Sequence, residues 1–146
     1  MKRILFICHG NICRSPMAEF ILKYLTAGRE DFEIDSAAVS REEIGNDLYP
    51  PAKACLRAHG IPLARHSARQ VTPDDYARFD KLILMDRSNL SLIRGIIPSD
   101  PEGKICRLLD FTDEPHDISD PWYTGDFEKS YSEILRGAQA LLESLK

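Results

Sequence analysis

Apolar residues follow two rhythms along this chain. Short segments at Ile4 to Ile7, Phe32 to Ala38, Leu82 to Met85 and Ile105 to Leu108 read as strands, the first and third as unbroken apolar runs. Between them the spacing turns helical. Met17, Phe20, Ile21, Tyr24 and Leu25 fall at i, i+3, i+4, i+7 and i+8, predicting a helix from Pro16 to about Ala27 that lays this stripe on a sheet. Further helices are predicted from Pro50 to His59, near Pro73 to Phe79, from Ser88 to Arg94 and from Phe127 to Leu145. Gly60 and Gly95 end two of them, as helix-terminating glycines do. Strands alternating with helices imply a parallel sheet covered on both faces. Neither a linker nor an internal repeat interrupts the pattern, so residues 1–146 form one α/β domain, long enough to bury about two-thirds of its unfolded surface.

The junction between the first strand and the first helix carries the chemistry. Cys8-His9-Gly10-Asn11-Ile12-Cys13-Arg14-Ser15 places a thiol, five residues, an arginine and a hydroxyl where successive backbone N–H groups turn around one point. Such nests, and helix N-termini, bind tetrahedral oxyanions. Gly10 and Asn11 tolerate the positive φ angles that let amides converge, and Ser15-Pro16 reads as the N-cap and first residue of the helix. The loop amides, the helix dipole and Arg14 all favour negative charge on Cys8, the form in which a thiol attacks phosphorus. Arg14 presents a planar fork matching two phosphoryl oxygens, and the Ser15 hydroxyl is in range to donate to the sulfur. The bland alternative is a structural cysteine in a nucleotide-binding first turn. The loop lacks the G-x-G-x-x-G and lysine-bearing patterns of such turns. A phosphate-binding loop directly after the first strand fits a flavodoxin-like, three-layer, four-stranded parallel sheet with ligands at the carboxyl ends of the strands.

Composition narrows the function by exclusion. The chain is 43% hydrophobic and 29% charged with net charge −4, giving no basic surplus for nucleic acid or an anionic membrane surface. The apolar run after Met1-Lys2-Arg3 is too short for a secretion signal or a membrane span, so no membrane insertion and a cytoplasmic location are expected. Cys8, Cys13, Cys55 and Cys106 form no C-x-x-C pair and no zinc-like spacing with His9, His59, His66 or His116, so neither a metal nor another cofactor is expected. In a reducing cytosol these are thiols, with Cys55 and Cys106 read as packing.

In its full form, Cys8-x-Gly-Asn-Ile-Cys-Arg-Ser-Pro-Met-Ala-Glu19, the loop resembles that of the low-molecular-weight protein tyrosine phosphatase family. The resemblance continues in order through Asp35-Ser36-Ala37-Ala38, Glu43-Ile44-Gly45-Asn46, His59-Gly60-Ile61-Pro62, His66, Ala68-Arg69-Gln70-Val71-Thr72, Met85-Asp86-x-Ser88-Asn89-Leu90 and Asp120-Pro121-Trp122-Tyr123. It implies a metal-free phosphatase with tyrosine-phosphorylated proteins or peptides as substrates and inorganic phosphate as an inhibitory product. It implies catalysis by Cys8, Arg14 and Asp120, with His9, Gly10, Asn11, Ile12, Cys13, Ser15, Ser36 and His66 binding phosphate or supporting the loop. Ser36 and His66 join Asn11 and Ser15 in a hydrogen-bond network, Arg69 pairs with Asp86, and Cys8 forms a protective disulfide with Cys13 under peroxide. From residues alone His66 reads as an exposed polar group, and Cys13 as packing. Glu42, Asn46, Trp122 and Tyr123 are implied as the substrate cleft. Glu42 departs from the pattern, since its position is often aromatic in the family.

An aryl leaving group departs more readily if its oxygen is protonated, so the chemistry also needs an acid. Asp100-Pro101 lies in a run of turn formers and reads as a surface loop. Asp120-Pro121, between Ile118 and Trp122-Tyr123, is the better site for a proton-holding carboxyl. Asp86 ends the third strand and is either near the site or a cap for the next helix. Three rivals remain. Protein arginine phosphatases resemble this family but typically carry threonine where Ile12 stands. The thioredoxin-coupled arsenate reductase shares the fold but needs two further cysteines near the third strand, where this chain has Leu84-Met85-Asp86-Arg87. A silent anion-binding module is expected to lack Cys8, Arg14 or Asp120.

Overall fold

A computed structural model describes all of residues 1–146. Four strands, β1 (Lys2–Cys8), β2 (Phe32–Ala38), β3 (Lys81–Leu84) and β4 (Ile105–Arg107), pair in parallel in the order β2-β1-β3-β4. The helices are α1 (Arg14–Leu25), α2 (Pro50–Ala58), α3 (Pro73–Arg78), α4 (Arg87–Ile93), α5 (Pro121–Thr124) and α6 (Phe127–Ser144). The flavodoxin-like, three-layer expectation therefore holds, with predicted ends displaced by only one or two residues. A 3₁₀ turn at Leu108–Phe111 and the single turn α5 are additions; elements this short carry no periodicity to read.

Side-chain alternation along β1 sorts the core into its two faces. Ile4 and Phe6 pack with α1, α2 and α6, while Leu5 and Ile7 pack with Phe79, Ile93 and Ile97 on the other side. Ile83 repeats the first assignment and Leu82 and Leu84 the second. β1 is thus the central strand, fully buried from Ile4 to Ile7, as its unbroken apolar run requires. The chain winds one way from β1 to β2 and the other way to β3. The carboxyl end of β1 sits at that reversal, where open parallel sheets form their ligand crevice, and Cys8 is its last residue.

Two local expectations are corrected. Tyr24 is about half exposed, because the buried side of α1 centres on Ala18, Ile21 and Leu22, and Tyr24 falls on its flank. Helix α1 begins at Arg14, with Cys13 at the N-cap and no side-chain cap; the Ser15 hydroxyl is engaged elsewhere.

Gly137 brings α6 close against the 3₁₀ turn after β4. A Cβ built there stands 2.5 Å from Cγ of the fully buried Leu108. Helix propensity alone favours alanine over glycine by about 1 kcal/mol, but forcing a methyl into a packed contact costs about 1–3 kcal/mol. Gly137→Ala is therefore expected to be neutral to destabilising by up to about 2 kcal/mol in urea unfolding; a gain in stability would contradict this packing.

Candidate active site

Asn11 organises the loop after β1. It is the only non-glycine residue with positive φ, at 61°, and it is completely buried. Asparagine tolerates this left-handed conformation better than most residues because its short side chain bonds locally. Here Nδ2 donates to Ser15 Oγ at 2.8 Å and Ser36 Oγ at 2.9 Å, while Oδ1 accepts from the Arg69 N–H at 3.2 Å. The Asn11 carbonyl accepts from His66 Nε2 at 2.7 Å, which fixes the proton of that imidazole on Nε2. The network implied for Asn11, Ser15, Ser36 and His66 is thus present in the geometry. Gly10 does not use a positive φ; a Cβ there would stand 3.3 Å from Glu43 Cγ, a tight contact that the Glu43 side chain would have to relieve.

The loop surrounds one point. Cys8 Sγ lies 3.0 Å from Ser15 Oγ and accepts from the Asn11 N–H at 3.3 Å. The single Ser15 proton serves either this sulfur or the Ala37 carbonyl at 3.3 Å, and a negatively charged sulfur draws it. The backbone N–H groups of Gly10, Ile12 and Cys13 donate to no protein acceptor, which leaves them for an oxyanion. Burial, followed by the negative charges at Cys8 and Asp120, pushes the Cys13 thiol up to about 12. Cys13 is therefore held as a neutral thiol.

Arg14 is almost wholly buried, and three acceptors hold its guanidinium. Nη1 donates to Asp86 Oδ2 and to the Ile118 carbonyl, each at 2.8 Å, and Nη2 to Asp120 Oδ2 at 3.3 Å. Burial works against its charge, but Cys8, Asp120 and Asp86 outweigh that effect and hold the group above its ordinary value. Asp86 fills both roles foreseen for it, since its other oxygen caps α4 by accepting from the Asn89 N–H at 2.8 Å.

The expected Arg69–Asp86 pair is absent. Arg69 forks onto Asp75 at 2.9 and 3.2 Å and reaches Asp35 at 3.2 Å. The isolated bridge between Ala38 and Gln70 ties this segment to the outer side of β2, whereas Asp86 follows β3 on the opposite side of β1.

Above the loop opens a cavity of about 220 Å³ lined by Cys8, His9, Gly10, Ile12, Cys13, Arg14, Glu42, Glu43, Asp120, Trp122 and Tyr123. Asp120 caps α5, with Oδ1 accepting from the Trp122 N–H at 3.1 Å while Oδ2 faces Arg14. Pro121 opens that turn and Gly125, at φ 72°, closes it. Trp122 rests on Tyr49, with ring centroids 5.0 Å apart, and Tyr49 stacks on Phe127 at 6.1 Å. Facing them, His9 and Glu42 approach to 3.3 Å. Asn46 lies outside the lining; its amide donates to Glu43 at 2.6 Å, so it can only orient the residue that takes the wall position. Asp100 is remote from this group, accepting from the Tyr76 hydroxyl and the N–H groups of Lys104 and Ile105 in its turn.

Sequence reasoning missed Glu19 and Tyr49. Glu19 is a nearly buried carboxylate that accepts from Ser36 Oγ at 2.6 Å and from Lys23 at 2.6 Å, anchoring the outer end of the Asn11 network. A carboxylate amid Met17, Ala18, Phe20 and Ile21 was its available signal, because a charge on a buried helix face demands a partner. Tyr49 gave no such signal; its importance depends on α5 and Phe127 arriving from far along the chain.

Comparison with known proteins matches this arrangement throughout its length. The family model described as low molecular weight phosphotyrosine protein phosphatase matches residues 3–146. The low molecular weight phosphotyrosine protein phosphatase of Homo sapiens is 40% identical, the match covering 97% of this chain and 94% of that protein. The crystal structure of YfkJ from Bacillus subtilis superposes with a TM-score of 0.94 at 38% identity, covering 99% of this chain and 94% of that one. A crystal structure of a drosophila arginine phosphatase superposes with a TM-score of 0.88 at 33% identity, covering 100% and 98%. With one architecture, one loop and a family match over nearly every residue, the chain belongs to the low molecular weight phosphotyrosine protein phosphatase family.

Proposed function

We propose that this chain hydrolyses phosphotyrosine in proteins and peptides, and small aryl phosphates, through a cysteinyl-phosphate intermediate. The observation that carries the reading is the convergence of Cys8, the Arg14 fork and the Asp120 carboxyl on one cavity, with the Ser15 hydroxyl 3.0 Å from the nucleophilic sulfur. The phosphoryl group sits over the loop, its oxygens taking the Gly10, Ile12 and Cys13 amides and the Arg14 fork. Cys8 attacks phosphorus opposite the tyrosine oxygen, and Asp120 gives that oxygen its proton as the P–O bond breaks. Ser15 supports the sulfur in its anionic form. Asp120, now a carboxylate, takes a proton from water as water attacks phosphorus, returning the Cys8 thiolate and releasing phosphate. Arg14 and the amides supply the charge that stabilises the transferring group, so no step requires a metal. Phosphate binds the same cradle and inhibits competitively.

Asp120 Oδ2 lies 3.3 Å from Arg14 Nη2, so the acid stands beside the guanidinium that holds the phosphoryl oxygens. Trp122 and Tyr123 wall the ring, and Glu42 with Glu43 gives the opposite rim an acidic character suited to cationic residues flanking the phosphotyrosine. The proposed compartment is the cytosol, where a reducing poise preserves the thiols of Cys8 and Cys13.

A second reading, protein arginine phosphatase, is favoured by the structural neighbour described as a drosophila arginine phosphatase. Ile12 argues against it here, because its nearly buried branched side chain lines the cavity and offers a guanidinium no acceptor. Each unpaired donor costs about 1–3 kcal/mol, and 1.4 kcal/mol already gives about tenfold.

Two outcomes are expected. Asp120→Ala lowers turnover of a phenolic phosphate by about 10²–10⁴-fold, less for leaving groups that need no proton, while Asp100→Ala has little effect; a larger loss at Asp100 would show that the wrong acid has been chosen. Specificity constants favour phosphotyrosine over phosphoarginine peptides by at least about tenfold, and Ile12→Thr moves the ratio toward phosphoarginine; equal constants in the parent protein would instead support the second reading.

A further inference from the structure

On the α2–α6 side of the molecule, three potential metal ligands of different chemistry meet. Cys55 and His59 stand four residues apart at the end of α2, a spacing that aligns side chains on one helix face. Glu128 reaches them from the first turn of α6. Cys55 Sγ is 3.6 Å from Glu128 Oε1, His59 Nε2 is 2.7 Å from Glu128 Oε2, and the donor atoms all lie within 4.8 Å of one another.

The Cys55 sulfur faces two acceptors, the Glu128 carboxylate at 3.6 Å and the Phe127 carbonyl at 3.7 Å, yet a thiol has a single proton to give. Cys55 lies beneath the surface, while His59 and Glu128 are open to solvent, giving an entry path. The His59 ring is stacked flat on Tyr131, centroids 3.8 Å apart and planes within 10°, which presents Nε2 toward the carboxylate.

We propose that Cys55, His59 and Glu128 form a binding site for a zinc-class divalent cation, with water as the fourth ligand. Tetrahedral zinc with bonds of about 2.0–2.3 Å separates its ligand atoms by about 3.3–3.8 Å. The sulfur–carboxylate distance already fits, and the shorter His59–Glu128 contact opens by rotation of the exposed Glu128 side chain. On binding, the cation replaces the thiol proton, which passes to solvent, and the Glu128–His59 hydrogen bond gives way to two metal bonds. The site is separate from the catalytic loop, and it ties the end of α2 to the start of α6. The cluster has no signature in local spacing, because Cys55-x₃-His59 supplies only two ligands and the third is 69 positions beyond His59.

Cobalt(II) is the probe, because a thiolate bound to it gives a charge-transfer absorption that other ligands do not. The titration uses folded Cys8→Ser protein, which removes the reactive loop thiol as a competing ligand. The expected result is a thiolate–cobalt band saturating at one equivalent, displaced by one equivalent of zinc and abolished by a further Cys55→Ser change. His59→Ala and Glu128→Gln, at exposed positions that leave the fold intact by circular dichroism, should each weaken cobalt binding at least about tenfold. No thiolate band in the folded Cys8→Ser protein, a band that survives Cys55→Ser, or unchanged affinity in both His59→Ala and Glu128→Gln would overturn the site.

Discussion

A backbone turn that no ordinary residue adopts comfortably sets the geometry of this site. Asn11 is held at φ 61° by its own side chain, which spends its amide on Ser15 and Ser36 and its carbonyl oxygen on the Arg69 N–H. Those bonds run from the nucleophile's neighbour, Ser15, through Asn11 and Ser36 to Glu19 in α1. Each partner is buried, so removal of any one would strand donors or acceptors away from water. The loop is consequently shaped before an anion arrives, which is the condition for amides to stabilise a transferring phosphoryl group without reorganising.

The second constraint is charge. Arg14 is a nearly buried cation, and burying an uncompensated charge is strongly unfavourable. Asp86 compensates it permanently, because that carboxylate is fixed by its cap on α4. Asp120 compensates it more loosely, at 3.3 Å and from a short turn. The two carboxylates thus hold one guanidinium from two sides, one tightly and one at longer range. Placing the acid on a single helical turn also carries Trp122 and Tyr123 to the cleft with it.

Much of this was legible in the chain. β1 and the loop were clear because an apolar run, a helix-start signal and the thiol–arginine spacing coincide within a few residues. Ser15 does not cap the helix because its hydroxyl is taken by Cys8 and Asn11, and of the two roles the sequence offers it only the one at the sulfur is used. The Arg69–Asp86 pair implied by the resemblance does not form, because the strand order puts Arg69 beyond β2 and Asp86 beyond β3. Tyr24 illustrates a different limit, since apolar spacing can fit two neighbouring faces of one helix. Tyr49 and the Cys55–His59–Glu128 group depend on α6 returning to α2, a contact between segments far apart in sequence.

The central claim is that Cys8 carries the phosphoryl group between tyrosine and water. Rapid acid quench of the enzyme with a phosphotyrosine peptide, followed by peptide mapping in a mass spectrometer, tests it directly. The account predicts a single transient phosphate on the peptide bearing Cys8, formed within one turnover and lost at the rate of phosphate release. Sustained turnover with no phosphorylated enzyme, or with the phosphate on any other residue, would contradict it.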